Sequence, residues 1–167
     1  MIWHDLDMPS FSNLPPYPHS LAGTLLAVRE AVMAPIRPLL REAGVTDQQW
    51  RVLRVLADAG PLDASGIAER ALLYAPSVTR ILRELTERGL LTRVTDNTDR
   101  RRSVVSITDE GGALVRRTAR HTASLLERYG DAFGHERLAA FIAEAAALTQ
   151  ALTSFAPREA ALSQDNS

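Results

Sequence analysis

The 167-residue sequence contains no cysteine and no lysine. The first absence excludes disulfides, thiol-based redox sensing and any metal site built on thiolates. The second makes all 19 basic residues arginine, which reads as a composition bias rather than a functional choice. No run of about 18 apolar residues occurs, so no membrane-spanning helix is expected. The start, MIWHDLDMPS, lacks the basic opening and apolar centre of a signal peptide. A cytoplasmic protein without a membrane partner is the expectation. The sequence also lacks GxSxG, GxGxxG, P-loop and HExxH motifs, and shows no histidine–carboxylate cluster at metal spacing. An enzyme, a cofactor and a bound metal therefore find no support, and His4 with Asp5 and Asp7 is too weak a group to supply it.

What is present is 46% hydrophobic, enough for one folded domain with its own core. A net charge of −1 gives no overall basicity. The distribution is uneven. Between residues 70 and 102 stand Arg70, Arg80, Arg83, Arg88, Arg93, Arg100, Arg101 and Arg102, against Glu84, Glu87, Asp96 and Asp99. That region balances at +4 and the rest at −5, so an anion-binding surface is localised there.

The centre of this region, residues 73–89, predicts one helix. Val78, Ile81, Leu82 and Leu85 recur at i, i+3, i+4 and i+7 and form a single apolar stripe. Ser77, Thr79, Arg80 and Arg83 fall on the other side. Pro76 suits a first turn and Gly89 a C′ position. A short helix with an apolar back and an Arg/Ser/Thr front fits a DNA major groove, although the same pattern also describes an ordinary surface helix.

The flanks favour DNA. Residues 63–71 predict a short helix capped by Asp63 or Ser65, and three or four residues, Leu72–Tyr74 or Leu72–Ala75, separate it from the next. Two short helices joined by such a turn form a helix-turn-helix. Residues 90–94 and 103–107 predict two strands around TDNTDRRR, a turn-rich stretch. A hairpin after a helix-turn-helix is a wing. Three arginines crowded at its tip repel one another and imply an anionic partner.

Outside this centre the sequence is apolar and helical. Residues 1–18 hold Pro9, Pro15, Pro16 and Pro18 and predict a non-helical arm. Residues 19–43 predict a long helix that Pro35 and Pro38 should kink or break, and residues 46–59 a second helix capped by Thr46. Thr108 caps a helix reaching about Tyr129, a break follows over 130–134, and a last helix spans 135–155 until Pro157 stops it. Residues 157–167 read as a flexible tail. The fold class is thus mainly α with a small β-hairpin wing: a winged helix-turn-helix over about 46–108 within one domain, 19–156. Its outer helices, 19–43 and 109–155, have more apolar surface than one subunit covers, which predicts a two-fold homodimer. Such a dimer sets two recognition helices on the order of 34 Å apart, one turn of a pseudo-palindromic duplex.

The order of elements and several strings resemble the MarR family of winged-helix transcriptional regulators. The resemblance rests on TDQQWRVLRVLA (46–57), GPLDASGIAER (60–70), SVTRILRELTERGLLTR (77–93) and DNTDRRRSVVSITDEG (96–111). The last is similar to the family's D-P-x-D-R-R…L-T-x-x-G signature, with Asn97 for the usual proline and Ile107 for the usual leucine. It covers roughly residues 20–150. LLAVREAVMAPIRPL (25–39) and TDQQWRV (46–52) further resemble the subgroup that represses homoprotocatechuate (4-hydroxyphenylacetate) degradation operons. The resemblance implies that Ser77, Thr79, Arg80 and Arg83 face the major groove, with Arg100 and Arg102 beside them at the wing. It implies that Arg101 enters the minor groove and that Asp99 orients it. It also implies a small aromatic acid bound between the dimer helices and the winged domain, whose arrival releases DNA and relieves repression.

Candidates for that ligand site are His19, Arg29, Arg37, Trp50, Arg51 and Arg54. An arginine clamps a carboxylate well and a tryptophan offers a stacking wall. Beside this stands the plainer possibility that Trp50 is core and that the arginines pair with Glu30, Glu42 or the other subunit. His121 and His135 read as surface or seam residues. The alternative function is a winged-helix module that binds protein without sequence-specific DNA binding; it would not need three adjacent wing arginines.

Overall fold

Four helices start where a side chain one residue ahead accepts a hydrogen bond from an otherwise unpaired backbone N–H. Ser20 Oγ accepts from Gly23 N (3.0 Å), Thr46 Oγ1 from Gln49 N (3.1 Å), Asp63 Oδ1 from Gly66 N (2.7 Å) and Thr108 Oγ1 from Gly111 N (3.1 Å). Each such cap stabilises its helix by about 1 kcal/mol. At Thr46 the cap is reciprocal, because Gln49 Oε1 accepts from Thr46 N (3.1 Å) and completes a capping box.

This computed structural model describes residues 16–95 and 103–162, with side chains for 16–94 and 103–154. A 3₁₀ turn, Tyr17–His19, leads into α1 (Leu21–Met33), α2 (Ile36–Glu42) and α3 (Asp47–Ala59). There follow β1 (Leu62–Asp63), α4 (Ala64–Ala71), α5 (Ala75–Glu87), β2 (Leu91–Thr95) and β3 (Ser103–Ile107), then α6 (Asp109–Phe133) and α7 (His135–Leu162). The strands form an antiparallel sheet in the order β1-β3-β2, with Leu91 opposite Ile107 and Thr95 opposite Ser103. The architecture is mainly α with a small sheet, as the sequence implies.

Several boundaries differ from expectation. The helix expected over 19–43 with a kink or break at Pro35 and Pro38 is indeed broken, into two helices and a turn, because Pro35 ends the first. Pro35 precedes α2 and Pro38 lies in its first turn, where a missing N–H removes no intrahelical bond. The strand β1 was not expected. It is two residues long, pairing Leu62 with Val105 and Asp63 with Val104, too short for an alternation to show. The break expected over 130–134 shrinks to Gly134, whose φ is +99°. Gly130 stays helical within α6, and its missing side chain makes room for His135, whose Nδ1 lies 2.3 Å from where a Cβ would be. Nor does Pro157 stop the last helix, since α7 runs on to Leu162. One proline deletes one backbone donor, and the carbonyl it frees is that of exposed Thr153, which can turn to water.

The core gathers under the middle of the chain. Val52, Leu53 and Leu56 of α3, Ile67 of α4, Val78, Ile81 and Leu85 of α5 and Val105 of β3 are all at most 1% exposed. The predicted stripe of α5 is therefore its buried face. Gly111 brings α6 against the α5–β2 turn so closely that a Cβ there would lie 2.3 Å from the Leu90 carbonyl oxygen. The outer helices are packed far less. In α1 only Gly23 is buried, while Leu21, Leu25, Leu26, Val28 and Val32 are 37–58% exposed. On α6 and α7, Leu126, Phe133, Phe141, Ile142 and Leu152 are likewise 40–54% exposed.

Candidate nucleic-acid interface and effector cavity

With its apolar stripe locked into the core, α5 turns Thr79, Arg80 and Arg83 outward, with Ser77 half-buried at its first turn. Arg80 Nη1 lies 3.4 Å from Glu84 Oε1 and Arg83 Nε 3.8 Å from Glu87 Oε1. Both are exposed pairs four residues apart, worth about 0.3–0.5 kcal/mol, so either arginine can exchange its acid for a phosphate or a base. Tyr74, at the N-cap of α5, offers no side-chain cap; Pro76 carries no N–H, and Ser77 N donates to the Tyr74 carbonyl (2.9 Å), so the first turn is closed by its own backbone.

The turn before α5 carries two groups that sequence reasoning treated only as spacer. Leu72 is 83% exposed and Tyr74 77% exposed. Leu72 adopts a left-handed conformation (φ +52°), which is uncommon for a leucine. Arg51 of α3 holds the turn, donating from Nη1 to the carbonyls of Ala71 (3.0 Å) and Leu72 (3.2 Å). The signal in the sequence was two large apolar residues in a turn where polar ones are usual.

Across from the turn, β2 and β3 project the wing. Arg93 Nε donates to Ser103 Oγ (2.6 Å) and ties the strands, while Val94 and Val104 stay on the exposed face. Asp99, Arg100, Arg101 and Arg102 lie outside the described residues.

A cavity of about 790 Å³ opens between α1, the start of α2, α3, α6 and α7. Its walls include Val32, Ile36, Leu126, Phe133, Phe141 and Ile142. Three polar side chains, Arg54, Thr122 and Tyr129, also line it, and of these Arg54 alone is charged. Tyr129 Oη donates to the Val32 carbonyl (3.0 Å) and Thr122 Oγ1 to that of Ala119 (3.0 Å). Arg54 Nη2 donates to Asp58 Oδ2 (3.1 Å), and its Nε is buried with no partner among the described residues.

The six residues singled out for a ligand site do not converge. Arg54 lines the cavity. Trp50, 8% exposed, belongs to the core and lies beneath the Arg54 guanidinium. Arg51 is committed to the α4–α5 turn. Arg29 and Arg37 share Glu30, and Arg29 also pairs with Asp47 at the start of α3. His19 is exposed on the 3₁₀ turn.

Comparison with known proteins follows the same lines. The MarR family profile matches residues 43–102. A helix-turn-helix transcriptional regulator of Neisseria gonorrhoeae, FarR, is 36% identical over 133 residues, which cover 78% of this chain and 91% of the relative. The chain is a member of the MarR family. This MarR-family regulator is also 40% identical over 98 residues to the homoprotocatechuate degradative operon repressor of Escherichia coli, covering 59% of the chain and 66% of the relative. The crystal structure of NadR in complex with 4-hydroxyphenylacetate superposes with a TM-score of 0.72 at 33% identity, over 84% of this chain and 97% of that one. The family is one of transcriptional regulators, not enzymes. No helix among the described residues of this regulator is long and apolar enough to cross a membrane.

Proposed function

We propose that this MarR-family regulator acts in the cytoplasm as a homodimeric repressor of an aromatic-compound catabolic operon, released from DNA by a small aromatic acid. The observation that carries the DNA half is α5: its inner stripe is fixed in the core while Thr79, Arg80 and Arg83 stand clear on the outside. These side chains and Ser77 meet base edges and phosphates of the major groove. Arg101 reaches the minor groove from the wing, oriented by Asp99, with Arg100 and Arg102 on flanking phosphates. The uncovered faces of α1, α6 and α7 join two subunits, so that a pseudo-palindromic operator meets two recognition helices.

The observation that carries the effector half is a single charged group, the Arg54 guanidinium, in a largely apolar cavity. An aromatic ring fits between Phe133, Phe141 and Leu126, and its carboxylate pairs with Arg54 in place of Asp58. The repressor of homoprotocatechuate degradation and NadR with 4-hydroxyphenylacetate support phenylacetates as the first class to try.

The test is a binding titration on the promoter region beside the coding sequence, at several salt concentrations and with added 4-hydroxyphenylacetate. Operator affinity should fall steeply with salt, at a log–log slope of about −0.9 for each phosphate contacted. It should fall again with the aromatic acid. Salt-independent binding would remove the DNA reading. Indifference to phenylacetates, benzoates, cinnamates and their coenzyme A esters would remove the effector reading.

A further inference from the structure

Gln49 is one of the few buried polar side chains among the described residues, at 8% exposure. Both ends of its carboxamide are occupied. Oε1 accepts from Thr46 N (3.1 Å) in the capping box of α3, and Nε2 donates across the helix pair to Glu84 Oε2 of α5 (3.0 Å). With those two bonds made, the amide cannot turn. The Glu84 carboxylate, one-third exposed, is therefore held in one orientation, and its other oxygen faces Arg80 at 3.4 Å.

A capping box takes glutamate or glutamine at this position equally well. Here only the amide serves, because a carboxylate at position 49 would face the Glu84 carboxylate across about the same 3 Å. The residue type is thus set by the contact with Glu84 and not by the cap.

We propose that Gln49 is a positioning residue for base readout: through Glu84 it braces Arg80, so that this arginine reads sequence instead of gripping whatever phosphate is near. The inference rests on the reading of α5 as a DNA-facing helix. Arginine has five donors in a fixed fork, so one Nη can stay on Glu84 while the others meet a guanine edge. A free arginine side chain must surrender its rotamer freedom to make that bidentate contact, whereas a braced one has surrendered part of it already. Without the brace Arg80 also escapes its nearby negative charge and pairs more readily with phosphate. Gln49 itself touches no DNA.

The test compares affinity for the tightest duplex that the full-length protein selects from a random pool with affinity for a scrambled duplex of equal length. Variants are Gln49→Glu, Glu84→Gln and their combination, each with Arg80 intact and with Arg80→Ala. Both single variants should lower the selected-to-scrambled ratio by about twofold, the factor that an exposed pair four residues apart is worth. Binding to the scrambled duplex should hold or rise. With Arg80→Ala in place, neither should change the ratio further. The combined variant restores a hydrogen bond with the roles exchanged, so it should recover the thermal midpoint lost in Gln49→Glu. It should not recover the ratio, because Arg80 then faces an uncharged amide. A purely structural Gln49 would make midpoint and ratio move together, and that outcome overturns the proposal. So does an unchanged ratio in Glu84→Gln, which decides the matter alone if Gln49→Glu does not fold, since Glu84 is outside the core. If the unaltered protein selects no duplex at all, the DNA reading falls and this inference with it. Selective binding by the unaltered protein with unchanged variants overturns the inference only.

Discussion

The guanidinium carbon of Arg54 lies 5.9 Å from the centre of the Trp50 ring. The indole is fixed in the core and the arginine above it reaches the cavity, so the first positions the second. Replacing Arg54 with methionine keeps the aliphatic stem and deletes the charge. We expect Arg54→Met to raise the concentration of aromatic acid needed for DNA release by at least about tenfold, since charge-assisted contacts to carboxylate are worth roughly 1.5–3 kcal/mol. Operator affinity without effector should be unchanged. Trp50→Phe should weaken the response less, by a factor of about 2–5, the size of an exposed cation–π contact. Titrations of operator complexes with 4-hydroxyphenylacetate measure both; a response identical to the unaltered protein in Arg54→Met would move the carboxylate elsewhere.

Arg80→Ala and Arg101→Ala should fail in different ways. The first removes a base contact worth about 1–3 kcal/mol, lowering affinity and relaxing sequence preference. The second weakens binding with little change in the major-groove sequence read, because its expected minor-groove site recognises width and potential. Footprints and competition with mutated operators separate the two. Unchanged affinity in both variants rules this docking out.

Glu30 gives a pH-dependent signature. The Arg37 guanidinium, donating to Glu30 Oε2 at 2.6 Å, holds its carboxyl below the ordinary value of 4.5, and Arg29 adds to the effect. A depressed folded-state value means that the stabilisation is present above the unfolded value and lost as pH falls through the folded one. The difference in thermal midpoint between the unaltered protein and Glu30→Gln should therefore be constant near neutrality and close as pH drops below about 4.5. The group lies at the surface, where solvent screens it, so the difference is small. A gap that ignores pH would show that the two arginines do not act through this carboxylate.

Two glycines of α6 should respond unequally to alanine. At Gly111 a new Cβ would meet the Leu90 backbone oxygen at 2.3 Å, so backbone must move, and a loss of about 1–3 kcal/mol is expected. At Gly130 the obstacle is the His135 ring, which can rotate away from its 3.2 Å contact with Asp131. There the gain in helix propensity, about 0.8–1 kcal/mol, largely offsets the disturbance. Denaturant unfolding of Gly111→Ala and Gly130→Ala tests the contrast, and equal losses would contradict it.

Much of this molecule is legible in its sequence where local rules and packing agree. The α5 stripe, the caps at Thr46, Asp63 and Thr108 and the strand Ser103–Ile107 each follow from short-range pattern, and each appears as expected. What depends on distant partners is not legible. β1 exists because Leu62 and Asp63 lie beside β3, not because two residues have a pattern. Arg51 and Arg54 look alike in the string RVLR, yet one ties down a turn and the other lines a cavity, because they stand three residues apart on one helix and meet different neighbours. Gln49 completes the capping box of α3 in the structure, and nothing local announces Glu84 thirty-five positions on.

The bare face of α1 has a consequence for how much of the protein must be made. In the proposed dimer, a subunit that leaves Leu21, Leu25, Leu26, Val28 and Val32 uncovered gains part of its stability only on meeting its twin. Its melting temperature should then climb with concentration, and dilution alone should loosen the arrangement that holds two reading heads in step. Abundance would set the occupancy of the operator twice over, once by mass action on DNA and once by mass action between subunits.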